Sequence, residues 1–187
     1  MKTQMISFGK SPVMTCTVKA SDKKTKVDAT LYKMDPYNRE DYKDVMYSKH
    51  TLCIKPDFSK DAGMLHPAYE YYLLQNDKTK EVISCAQTSK HYRTGKAAYT
   101  GSSILINEMN QNGNYINGGE PLLAFLAHQA ESRYDKSVTT AFDKDEVPCL
   151  RSCKFTQLKT GDWCIPEKRY QQLIDQAEKR ENVNFLV

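Results

Sequence analysis

One stretch, Tyr99 to Phe155, constrains the fold more than any other, because its parts read as a single mechanical unit. Ser102–Met109 is β-branched and alternating, the composition and length of a strand. A loop of small polar residues, Gln111–Gly119, leads into Glu120–Ala130, an apolar segment with proline in its first turn, which predicts a helix. A second β-branched run, Ser137–Phe142, follows, and a short amphipathic segment closes at Phe155. Strand, Gly/Asn loop, helix and strand in this order present unpaired helix N–H groups to an anion, usually a phosphate. The unit predicts a cofactor site without naming the cofactor.

The rest of the chain supplies the frame. Val27–Met34 and Tyr69–Gln75 alternate as strands, and Asn76–Lys80 turns the second of these back into Glu81–Thr88 as a hairpin. Arg39–Ser48 has helical spacing at Tyr42, Val45 and Met46, with Asp35 or Asn38 as its cap. His50–Pro67 reads as loop, and Met14–Val18 as a short strand in an otherwise polar extension. After Phe155 come a hairpin (Phe155–Leu158, then Trp163–Ile165), a helix over Pro166–Arg180 and an edge strand at Asn184–Val187. This order predicts an α+β fold, a mixed and mostly antiparallel sheet with helices on both faces. At 187 residues the chain fits one domain, 1–187, with a core of about 27–158.

A net charge of +4 with Lys and Arg scattered among acids gives no nucleic-acid stripe. No apolar run has the length of a membrane span, and Met1–Phe8 lacks the apolar core of a signal peptide. The six cysteines sit mostly in apolar contexts, where a free thiol behaves as a small hydrophobe, so a reducing, cytoplasmic compartment is expected.

The hairpin Tyr69–Thr88 feeding Ser102–Met109, then the loop and helix, resembles the Gcn5-related N-acetyltransferase (GNAT) superfamily. In that family the fourth strand splays from the fifth, acyl-coenzyme A lies in the gap, and its pyrophosphate sits on the following loop. The family's loop pattern, Gln/Arg-x-x-Gly-x-Gly/Ala, is matched in spacing by Asn114-x-x-Asn117-x-Gly119, and in identity only at Gly119. The short helix before strand six keeps the terminal Phe155 but has Leu150 where many members have tyrosine.

The resemblance implies transfer of an acetyl group from acetyl-CoA to a primary amine, on a small molecule or a protein. Asn107, Met109 and Asn110 would hold the pantetheine and thioester, and Asn114, Asn117, Gly118 and Gly119 the pyrophosphate. Glu108 is the candidate general base, because a protonated amine has no lone pair with which to attack; Glu70 is the weaker alternative. Cys149 and Ser152, and more distantly Tyr134, are candidates for reprotonating the leaving thiolate. The alternative reading is a catalytically silent domain of the same shape that binds a partner protein. A cysteine hydrolase pairing a thiol with His128 or His91 is a third. Against the anion site stand the lack of Lys or Arg in the loop and the charge of Glu120 at the helix start.

Overall fold

The computed structural model describes residues 9–47, 65–93, 101–140 and 147–187. Its strands are β1 (Ser11–Ala20), β2 (Lys26–Lys33), β3 (Glu70–Asn76), β4 (Val82–Arg93), β5 (Gly101–Gln111), β6 (Tyr115–Ile116), β7 (Ser137–Thr140), β8 (Thr156–Gln157), β9 (Trp163–Pro166) and β10 (Asn184–Phe185). Its helices are α1 (Arg39–Tyr47), α2 (Glu120–Ser132), α3 (Val147–Ser152) and α4 (Tyr170–Glu181). The strands form one sheet in the order β10-β1-β2-β3-β4-β5-β7-β9-β8, with β6 paired to β1. Among the described residues every pairing is antiparallel except β5 with β7. The parallel pair needs a crossover, and α2 supplies it.

Alternation along the strands sends one set of side chains to each face. On one face Tyr72, Leu74, Ile83, Ala86, Ile104 and Ile106 pack against α2. On the other, Tyr71, Leu73, Val82 and Cys85 meet Tyr42 of α1 and Leu65. Residues 122–127 of α2 are fully buried, because α4 lies over the helix and adds Leu173, Ile174 and Ala177 to the same core. A helix apolar all round requires such cover on both sides. Phe125 meets Tyr72 edge-to-face at 5.4 Å between ring centroids, which ties α2 to the middle of the sheet.

Three expected elements change in extent. The polar N-terminal extension is a full ten-residue strand, because β1 pairs β2 from Ser11↔Lys33 to Lys19↔Lys26. β4 continues past Thr88 to Arg93, since its polar end is held in register against Ser102 and Ser103 of β5. The Gln111–Gly119 loop contains β6, whose Tyr115 and Ile116 pair with Ala20 and Lys19. Most of His50–Pro67, and residues 141–146 with the end of the Ser137–Phe142 run, lie outside the described residues, as do residues 94–99 of the Tyr92–Tyr99 connection.

Candidate active site

The site starts from an interruption in β5. Its first half pairs with β7 from Ser103↔Ser137 to Ile106↔Thr140, the last of the described β5–β7 pairs. From Glu108 to Gln111 the strand keeps β4 as its partner on the other side. Among the described residues β4 is the strand that pairs this second half, and an extended ligand laid along its other side would meet a row of main-chain N–H and C=O groups.

A β-bulge falls at the same place. Gln87 pairs Glu108 and Thr88 pairs Ile106, so Asn107 is an extra residue with no partner opposite. The bulge resolves the register. Asn107 turns to the α1 face, where its Nδ2 donates to Ser89 Oγ at 3.1 Å. Glu108 lies opposite Gln87, whose Nε2 donates to the Tyr71 hydroxyl at 3.3 Å, so Glu108 shares that face with Tyr71. Asn110 lies opposite Cys85 on the same face. Burial raises the Tyr71 hydroxyl above its ordinary range, and the charges of Tyr69 and Glu108 add to it. Tyr69 meets Tyr71 edge-on at 6.5 Å and His66 at 5.1 Å, so aromatic rings stand beside this carboxylate.

Met109 and Gln111 point to the α2 face. Met109 is 6% exposed and belongs to the main core. A Cβ built on Gly119 would collide with Met109 Cε and stand 3.1 Å from Cys149 Sγ and 3.4 Å from Gln111 Oε1. A Cβ on Gly118 would stand 2.8 Å from Ile83 Cγ2. At Gly118 a side chain would press on the stiff Ile83, whereas at Gly119 it would displace the flexible end of Met109, and the Cys149 contact sets α3 directly against the start of α2. The Gly119 N–H, one of the helix's open donors, bonds Gln111 Oε1 at 3.3 Å. Asn117, at φ 54°, turns the chain into the helix, and its carbonyl accepts the Glu120 N–H at 2.9 Å. Asn114 is exposed, and its Nδ2 donates to Glu81 at 3.3 Å.

Glu120 does not cap α2. Gly119 occupies the cap position with no side-chain bond, and the fully buried Glu120 side chain turns to α4. There its Oε1 accepts from Gln176 Nε2 and, at 3.3 Å, from Arg180 Nη1. The carboxylate is thus held by α4 rather than by the loop N–H groups for which it was expected to compete.

The proton-donor candidates separate. Ser152 donates its hydroxyl to the Cys149 carbonyl at 2.8 Å, a local helix bond. Cys149 carries its thiol against Gly119, and its contact with Cys153, together with burial, pushes the Cys153 thiol well up. Tyr134 lies past the far end of α2, about 20 Å from Gly119 along the helix, and is 81% exposed. Glu70 is structural: burial alone would raise its carboxyl, but hydrogen bonds from Arg133 and Lys33 override this and hold it at about 2. His128 stacks on Phe185 at 4.2 Å with Nε2 3.2 Å from the Val187 carbonyl, and His91 is exposed on β4. The Gln176 and Arg180 contacts come from α4, and nothing in the local sequence pattern announces them.

Known structures of similar shape decide the fold. One chain of the NatC complex bound to Gag peptide and CoA superposes with a TM-score of 0.51 at 11% identity, covering 74% of this chain and 98% of that one. YhhK from E. coli, bound to coenzyme A, gives 0.50 at 11% identity with the same coverage. The KacTA–DNA complex gives 0.50 at 13% identity, covering 76% of this chain and 88% of that one. The chain has the Gcn5-related N-acetyltransferase fold. No protein-family model matches the sequence, and no curated protein matches it. In the terms of this acetyltransferase fold, β5 is strand four, β7 is strand five, and the residue 112–119 loop with the start of α2 is the segment after strand four. β10 and β1 extend that core at its β2 edge, and α4 lies over α2.

Proposed function

We propose that the chain moves an acetyl group from acetyl-CoA to a primary amine. The observation that carries this reading is the coincidence of the last described β5–β7 pair at Ile106, the bulge at Asn107 and the Gly118–Gly119 close approach in one place. The residues fit the cosubstrate. The main chain of 107–111 would hold the pantetheine, and the N–H groups from Asn117 to Gly119 the pyrophosphate, with a phosphate oxygen taking the place of the long Gln111 bond. Bound there, acetyl-CoA would supply an activated acyl thioester.

The chain's own residues then divide the work. Glu108 takes the proton from the ammonium of the acceptor, on the α1 face beside Tyr71 and Tyr69. Cys149, whose thiol stands at the loop glycine, returns a proton to the departing thiolate. Ser152 is less suited, because its hydrogen is committed to a backbone carbonyl. One observation favours the silent-module alternative: Met109, Gln111 and Cys149 crowd Gly119. Calorimetric titration with acetyl-CoA, with desulfo-coenzyme A as control, separates the two. One-to-one micromolar binding by both ligands is expected. The absence of heat at millimolar ligand sinks the transferase reading.

A further inference from the structure

A cavity of about 430 Å³ lies behind the loop, where β1, β6 and the last turn of α4 meet. Lys19, Lys179 and Arg180 bring three cations to it, with Thr17, Asn117 and Glu181 as its other polar walls. We infer that this cavity binds the phosphate group of a phosphorylated small molecule. The charges converge through tertiary structure: Lys19 sits on β1 paired with Ile116 of β6, and the other two are adjacent on α4.

The opposing charges are accounted for. The end of α4 carries about half a negative charge, and the start of α2 beside Asn117 about half a positive one. Glu120 is buried, and one of its oxygens is already engaged by Gln176 and Arg180. Arg180 reaches Glu120 with one nitrogen, which leaves guanidinium donors for a second anion. The Glu181 carboxyl is pushed up to about 8, first by burial and then by Glu120, while Arg180 and Lys19 pull it down. Near neutral pH it is therefore protonated, and it offers a donor to a phosphate oxygen rather than a repelling charge. The cavity is net positive and carries hydroxyl, amide and carboxylic-acid groups suited to a phosphate monoester.

The inference stands on this cavity, not on the acetyl-transfer reading. The phosphate could be the coenzyme's own 3′-phosphate or that of a separate ligand. Calorimetric titration with adenosine 3′,5′-bisphosphate tests the shared chemistry. Lys19→Glu combined with Lys179→Glu reverses two exposed charges, and an unchanged melting curve reports intact folding. Binding to the wild-type chain that weakens at least tenfold in this variant supports the site. Repeating the titration in saturating acetyl-CoA assigns the source: competition means the coenzyme's phosphate, and independent binding a separate ligand. Affinity should also fall several-fold between pH 7 and 9, and Glu181→Gln should flatten that fall. No binding at millimolar bisphosphate, or equal affinity in the charge-reversed variant, overturns the proposal, whether or not acetyl-CoA binds.

Discussion

Gly119→Ala should destabilise the chain through one identifiable contact. Gly119 has φ −83° and ψ −18°, ordinary right-handed helical values, so alanine is compatible with the backbone. Replacing glycine there would by itself stabilise by about 0.4–1 kcal/mol through the unfolded chain. The new methyl, however, occupies the position of Met109 Cε and stands 3.1 Å from Cys149 Sγ. Overpacking of this kind costs about 1–3 kcal/mol. The balance is a loss of about 1–2 kcal/mol, or roughly 2–8 °C in Tm for a chain of this size. Met109→Ala alone should cost about 2–5 kcal/mol, because the side chain is 6% exposed and leaves a cavity. In the double variant the alanine methyl enters that cavity, so the second substitution should cost nothing or stabilise slightly. Urea unfolding of the four chains should therefore give a coupling of about 1–3 kcal/mol. Additivity to within about 0.5 kcal/mol would refute the claim that Met109 fills the space at Gly119.

Glu108→Gln should leave acetyl-CoA binding within about twofold while slowing transfer to an amine about 10²–10⁴-fold, read from release of the coenzyme thiol; equal turnover would remove Glu108 from the mechanism. Glu70, held at about 2 by Arg133 and Lys33, is depressed below its unfolded value near 4.5. Its contribution is therefore complete above about pH 5 and lost as pH falls toward 2. Glu70→Gln should reduce the acid sensitivity of unfolding in that window by about 1–3 kcal/mol, allowing for solvent screening, and an unchanged profile would place the acid sensitivity elsewhere. Tyr72→Phe removes the hydroxyl that donates to Gln129 at 2.9 Å in the core and should cost about 1–2 kcal/mol in thermal unfolding; a neutral result would mean that a water takes the hydroxyl's place.

Much of the frame was legible in the chain because it depends on local pattern. Period-two alternation in Val27–Met34 and Tyr69–Gln75, helical spacing in Tyr170, Leu173, Ile174 and Ala177, and proline ahead of two helices each report a residue's own neighbours. The order of these elements then restricted the sheet to few topologies. The face of Glu108 was not legible, because a single extra residue, Asn107, shifts the register and only the pairing with β4 reveals it. Nor could the loop be read alone. Its isolated sequence read as a loop of small polar residues, whereas Tyr115 and Ile116 are pinned to β1, which lies about a hundred residues earlier.

The same division holds for charge. Glu120 looked like a helix cap competing for an anion, and only the antiparallel approach of α4 turns its side chain to Gln176 and Arg180. Sequence by itself determined where most of the strands and helices lie, since dihedral preference and amphipathic period act over a few residues. Tertiary structure decided on which face of β5 Glu108 lies, which thiol stands at Gly119, and where Lys19 meets the Lys179–Arg180 pair. Those outcomes depend on contacts between segments far apart in the chain, and no local pattern encodes them.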